Sequence, residues 1–348
     1  MIKRLDKFKW ILIATFMGIG TLVVGSSLLQ TDKEITISKE ELINSSEYRI
    51  LDKEGAKILF TDVKGADDLF LHDITTEKAN IIVKSSHKNY ALNAEIEGEY
   101  IVYGESLEVD NKTDMLKDKK NGITNTIYCG KILEDGSIER KAMVTGDDIS
   151  SFSEFAIKDE NLVIIENTKG GKSSFKYYNL KDGTGFGDIG TVDNLMPDVS
   201  DKYITYNSEF ETTHVLDIEL ATKNKEPKWE SILEVPNLIR PKIYKDYLCG
   251  IIEGEGVVSI NIKTGERNVA VLDDGNLGLD TKFEIINGIL IVKPREINVI
   301  SDKGYAINLE ENNVIMIPRN ITIKDIFSDS ILIEVEKDGE VKKQIVDI

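Results

Sequence analysis

The chain is poor in the residues that catalysis and metal binding most often use. Its 348 residues include only three histidines, two cysteines, two tryptophans and six prolines. Zinc and related metals need clustered His or Cys, whereas His72, His87 and His214 stand far apart with no ligand spacing. No G-x-S-x-G elbow occurs, so a serine nucleophile on a strand-to-helix turn is excluded. Two cysteines cannot make the disulfide framework of a small secreted domain. Cys129 and Cys249 fall in separate parts of the chain and read as unpaired core fillers. The Trp-Asp dipeptide, the S-x-D-x-G-x-T-W box and repeated Gly-Gly pairs are also missing. No cofactor and no metal is expected.

Positive charge is scarce as well. Lys and Arg number 43 against 61 Asp and Glu, a net charge of −18. Residues 1–30 carry +3 of their own, which leaves −21 on the remainder. Such a field repels the phosphates of nucleic acids, so these are excluded as partners. The best local candidate for calcium, Asp110, Asn111, Asp114 and Asp118, puts Lys112 at a ligand position of the calcium-loop pattern and lacks its glycine, so it reads as solvated charge.

What is present begins with a distinct N-terminal stretch. Lys3, Arg4, Lys7 and Lys9 precede an uncharged run from Ile11 to Leu29. A helix of that length spans roughly 28 Å, close to the ~30 Å hydrocarbon core of a bilayer. Trp10 sits where an interfacial aromatic belongs. Val24-Gly25-Ser26 would also suit a signal peptidase, so residues 1–30 are either an uncleaved anchor or a cleaved signal. Both place the rest of the chain outside the cytoplasm, with the basic end inside.

Beyond residue 30 the chain repeats itself. The apolar core KILF at Lys57 returns as YIVY at Tyr100, LVII at Leu162, YITY at Tyr203, YLCG at Tyr247, ILIV at Ile289 and ILIE at Ile331. Five of the six spacings lie between 41 and 44 residues. The sixth is 62 because of a charged segment, Ser106 to Asn125, which reads as a surface hairpin extension or loop. Turn residues precede each core, as at Glu54-Gly55, Gly98-Glu99 and Asn287-Gly288. A period in the low forties with strand content is the mark of propeller blades. The expected fold is all-β, a seven-bladed propeller of four-stranded blades after the N-terminal membrane segment.

A second pattern runs in phase. An Asn or Asp followed by an apolar residue recurs at Asn89-Tyr90, Asp148-Ile149, Asn194-Leu195, Asn237-Leu238, Asn276-Leu277 and Asn320-Ile321. The apolar member would plug the gap between blades while the polar member holds the turn, or lines one rim. In the first unit, DKEGAKILFTDV followed by DLFLHDITT resembles the repeat of TolB-like (PD40) β-propellers, with its Asp-x-x-Gly turn and its second strand ending in Asp. The resemblance covers about thirty residues. It implies a propeller that binds other proteins or sits beside a catalytic domain.

Channel-facing charges are expected on inner strands at Glu95, Glu154, Asp198, Asp280, Asp325, Arg240 and Lys242. Candidate binding residues at the rim and channel mouth are Asn194, Asn237, Arg240, Asn276 and Asp280; no catalytic residue is assigned. Two functions remain open. One is a non-catalytic, membrane-tethered module that binds a protein or cell-wall component. The other is an extracytoplasmic hydrolase or lyase using carboxylates at the channel mouth. The last unit also lacks a fourth strand, and Lys33 to Ser38, KEITIS, is expected to supply it beside Lys342 to Asp347.

Overall fold

The computed structural model describes residues 27–29 and 34–348, apart from 64–67, 85–88, 109–122, 135, 147–153, 168–172, 193–195, 209–211, 224–227, 273–276, 278–280, 294–303, 312, 316 and 319. Seven antiparallel sheets follow one another along the chain. In the first, Tyr48–Glu54 is innermost, followed outward by Lys57–Asp62, Leu69–Asp73 and Lys78–Val83. Each of the seven apolar cores lies in the second strand of its sheet, in strands that start at Lys57, Tyr100, Asn161, Tyr203, Tyr247, Ile289 and Ser330. The protein is a seven-bladed β-propeller.

The cores are continuously apolar because each blade is covered on both faces. Leu59 packs toward the second blade, against Ile96, Ile101 and Tyr103. Its neighbours Ile58 and Phe60 pack the opposite way, toward Phe327 and Ile345 of the seventh blade. The same alternation repeats around the ring, with one apolar cluster at each of the seven junctions. Tight turns follow the inner strands where the residues permit positive φ. Asp159 and Glu160 sit at φ 49° and 61°, and Asn287 and Gly288 at 50° and 80°.

The long second unit is an extended hairpin. Its second and third strands stay paired out to Glu108 and Ile123, and the segment between them lies outside the described residues. Leu238 and Leu277 are buried in the clusters between blades, as the plug reading requires. Cys129 and Cys249 are buried and free, one in the second blade and one in the fifth. Burial pushes the Cys129 thiol up to about 12, so it holds its proton and does not react as a thiolate.

Closure departs from the expectation. Glu34–Thr36 pairs antiparallel with Lys78–Asn80 in the outer strand of the first blade, and among the described residues the seventh blade keeps three strands. The reason is local. The Ile37 amide donates to Glu77 O at 3.0 Å, and His72 Nε2 lies 2.8 Å from Ile37 O, which ties the segment to the blade it is about to enter. A short helix, Lys39–Asn44, capped by the Ser38 hydroxyl, then leads to the first inner strand. Burial is nevertheless as expected: Ile37 is 3% exposed and Ile35 half-buried, in one cluster with Phe327 and Ile345. The segment therefore seals the ring by packing, not by completing a sheet.

Residues 1–26 lie outside the described residues, and Ser27–Leu29 forms a strand on the outer edge of the second blade. Among the described residues no helix is long and apolar enough to cross a membrane.

Candidate functional site: a charged channel

Seven inner strands converge on the axis, and strand periodicity sets what they present there. Successive side chains alternate between the channel and the blade interior. Register with the second strands identifies one equivalent position per blade: Asp52, Glu95, Ala156, Asp198, Lys242, Glu284 and Asp325. Six of these seven are charged. The residue after each is Lys53, Ile96, Ile157, Val199, Ile243, Ile285 or Ile326, buried in every case.

Most of these charges are committed to neighbouring blades. Asp52 Oδ2 accepts from the Ile96 amide at 2.9 Å, and Asp198 Oδ2 accepts from the Ile243 amide at 2.7 Å. Lys242 Nζ lies 3.4 Å from Asp198 and 2.6 Å from Glu284, so one ammonium joins the fourth, fifth and sixth blades. The two carboxylates thus stand within about 6 Å of each other. Asp325 pairs with Lys282 of the preceding blade. Glu95 differs: it makes no hydrogen bond or ion pair among the described residues.

The electrostatics follow from this crowding. Burial pushes Glu95 up to about 8; Lys242 pulls it back, while Asp52, Glu284 and Asp198 add to the rise. Glu95 therefore carries a proton at neutral pH. Burial raises Asp198 to about 6 against the pull of Lys242. Burial also raises Asp52, although four hydrogen bonds to its carboxylate oppose the shift. For Lys242, burial acts downward, but Asp198 and Glu284 outweigh it and hold the ammonium above its ordinary value.

One layer away lie Glu154 and Arg240, each two residues before the charged level on its strand. Burial raises Glu154; the Met196 amide, which donates to it, and the charge of Arg240 oppose that rise. At the opposite end, Glu54 accepts from the Gly98 amide, and Glu97 bonds Lys158 at 2.9 Å and the Asp159 amide at 3.1 Å. Glu54, Glu97, Gly98 and Asp159 line an open depression of about 410 Å³ with Glu99, Tyr100 and Glu160. Among the described residues no group of three His, Cys, Asp or Glu is placed to hold a metal ion.

Of the sequence candidates, Glu95, Asp198, Lys242 and Asp325 stand on the charged level, and Glu154 and Arg240 beside it. Asn237 does not join them. It is an exposed turn residue at φ 58° between two blades. The Leu238 carbonyl next to it accepts from Asn207 Nδ2 and Thr213 Oγ1, each at 2.6 Å. Asn194, Asn276 and Asp280 lie outside the described residues. Asp52 and Glu284 stand on the same level but are not among the sequence candidates. A signal existed: Asp52, Glu95, Asp198, Lys242 and Glu284 each stand five residues before the strand that carries the repeated core.

No protein-family model matches the chain, and no curated protein matches it in sequence. Solved structures do match in shape. The computationally designed Ika8 protein aligns at TM-score 0.51 with 11% identity, over 87% of this chain and 88% of its own. Puromycin hydrolase aligns at TM-score 0.52 with 8% identity, over 88% of this chain and 52% of its own. A chain of the mitotic checkpoint complex aligns at 0.50 with 9% identity, over 92% and 94%. This chain spans about half the length of puromycin hydrolase. At such identities the likeness shows the propeller fold alone.

Proposed function

We propose that the chain is a non-catalytic binding module: a propeller held outside the cytoplasm, tethered through residues 1–30, that docks a protein or cell-wall component. The observation that supports this reading is the state of the channel charges. Five of the six are occupied by neighbouring blades, through backbone amides or lysines. A carboxylate that already accepts such bonds is a poor proton carrier or nucleophile, so these groups act as fasteners. The tether reading rests on the basic residues before the uncharged run.

The test uses the full chain. Crosslinking on intact cells, then purification in detergent, should enrich a specific surface component. Repeated failure to enrich one with folded protein would count heavily against the reading. Protease added to intact cells should degrade the chain from Asp32 onward and spare its first nine residues; protection of the whole chain would overturn the placement.

One observation favours the second reading, a hydrolase or lyase. Glu95 has no ion-pair partner among the described residues, and burial pushes it up to about 8, the range a general acid needs at neutral pH. On that reading Glu95→Gln abolishes turnover of a glycan or peptide substrate, and unchanged turnover in the variant would remove the acid from consideration.

A further inference from the structure

We infer that the open edge of the seventh blade is a strand-addition site for an extended, acidic segment of a partner protein. This deepens the binding reading above and rests on it. Among the described residues each of the first six blades has at least four strands, and the seventh has three. Its last strand, Glu340–Asp347, is eight residues long and pairs on one side only. The first blade took the segment that would have matched it.

The register shows which backbone groups are unpaired. Asp338 and Gly339, at φ 55° and 81°, form a two-residue turn flanked by Lys337 and Glu340. In such a hairpin the flanking pair exchanges hydrogen bonds, and bonded and non-bonded pairs then alternate. The bonded pairs are Lys337 with Glu340, Val335 with Lys342, and Ile333 with Gln344. The Glu336 amide fits this phase, because it donates the other way, to Asn320 O at 2.9 Å. The N–H and C=O groups of Val341 and Lys343 consequently point out of the sheet, where among the described residues no strand lies. Residues 340–344 are all exposed, and Val341 is 61% exposed. The inward end is covered, because the helix Lys39–Asn44 shares a cluster with Ile345.

An edge of this kind is a template for another strand. Its side chains choose the occupant. Lys342 and Lys343 are adjacent and therefore flank the edge on both faces. Lys342 is 79% exposed, with Glu340 at 3.8 Å as a weak partner. A second copy fits poorly, because the registers that overlap most of the strand set Lys342 or Lys343 opposite its own copy, and like charges placed so destabilise a pair. An acidic strand gives opposite-charge pairs at the same positions. The chain's net negative charge opposes such a partner at long range, but physiological salt screens that beyond roughly 8 Å, and contact pairs then decide.

The probe is a labelled peptide alternating Glu with Val, and its counterpart with Lys in place of Glu. Each is titrated against the full chain in detergent at physiological salt and followed by fluorescence anisotropy. The acidic peptide should bind saturably and roughly tenfold tighter than the basic one. Lys343→Pro removes one outward N–H and no internal ladder bond, and edge strands accept proline there. It should weaken the acidic peptide roughly tenfold without lowering the melting temperature. If that variant misfolds, the double change Lys342→Glu, Lys343→Glu serves instead and should invert the preference between peptides. Equal binding of both peptides, no saturable binding, or affinity unmoved by either variant would overturn the site. Concentration-dependent dimers lost in Lys343→Pro would assign the edge to a second copy and also overturn it. A surface component captured equally by wild type and Lys343→Pro would overturn the edge site and leave the binding reading standing.

Discussion

The junction between the fourth and fifth blades and the junction between the seventh and first solve one problem in two ways. At the first, the chain runs continuously from one blade to the next. Leu238 plugs the gap, Asp198 accepts the Ile243 amide, and Lys242 completes the contact. At the second there is no such direct connection, and the bonds run backwards. Asp52 of the first blade accepts from both the amide and the hydroxyl of Ser328, at 2.9 and 2.7 Å. Lys53, with a side chain only 1% exposed, reaches Asp329 at 3.1 Å and Asp347 at 2.7 Å. The Gly55 amide donates to Asp329 at 2.6 Å, and the N-terminal segment adds Ile37, Leu42 and Ile43. Where the chain does not keep two blades close, loop-closure entropy has to be offset by contacts. That is why Asp52, Lys53 and Asp329 gather charged bonds at the seam.

The largest expected effect breaks this difference directly. Asp52→Ala strips the acceptor from Ile96 and Ser328 in a buried site and should cost about 3–5 kcal/mol. Asp198→Ala, at the continuous junction, should cost less, and urea denaturation of the two variants side by side decides. Equal losses would show that the seam is not special. Next comes Ile37→Ala, which opens a cavity in the seal and should cost about 2–4 kcal/mol. Amide exchange should then accelerate in the seventh blade before the fourth; uniform acceleration would place the segment outside the closure.

A smaller effect sharpens the contrast between seam and channel through pH. The folded-state value of Glu95, about 8, lies above its ordinary 4.5. Its neutral form is thus favoured by folding, and the associated stability is lost as pH rises through that window. Wild type should lose roughly 4 kcal/mol between pH 5 and 9, and Glu95→Gln should flatten that slope. A parallel slope in the variant would show that Glu95 is ionised throughout. The smallest effect is at the channel mouth. Asp325→Asn breaks a partly exposed pair with Lys282, and should cost no more than about 1 kcal/mol. A larger loss in thermal melts would mean that the channel ring carries the closure as well.

Much of this was legible in the residues themselves. The strand cores and the number of blades follow from apolar four-residue runs at a regular period, because a strand covered on both faces must be apolar throughout. The free cysteines and the Leu238 plug follow from the same requirement. The charged level was only half legible. Glu95, Asp198, Lys242 and Asp325 were readable as channel-facing, whereas Asp52 read as part of the Asp-x-x-Gly turn and Glu284 belonged to none of the motifs. Their constant offset from the core strands links them, and the strand register shows that they share one level of the channel.

The periodic elements follow from the residue pattern alone, since alternation and turn chemistry act within a few residues and need no distant partner. Only the closed ring settles which blade receives Glu34–Thr36, that Lys53 is buried between Asp329 and Asp347, and that burial raises Glu95. Each of these depends on groups that lie far apart along the chain and meet only when the ring closes. Their energies come from desolvation and proximity, which local pattern does not record.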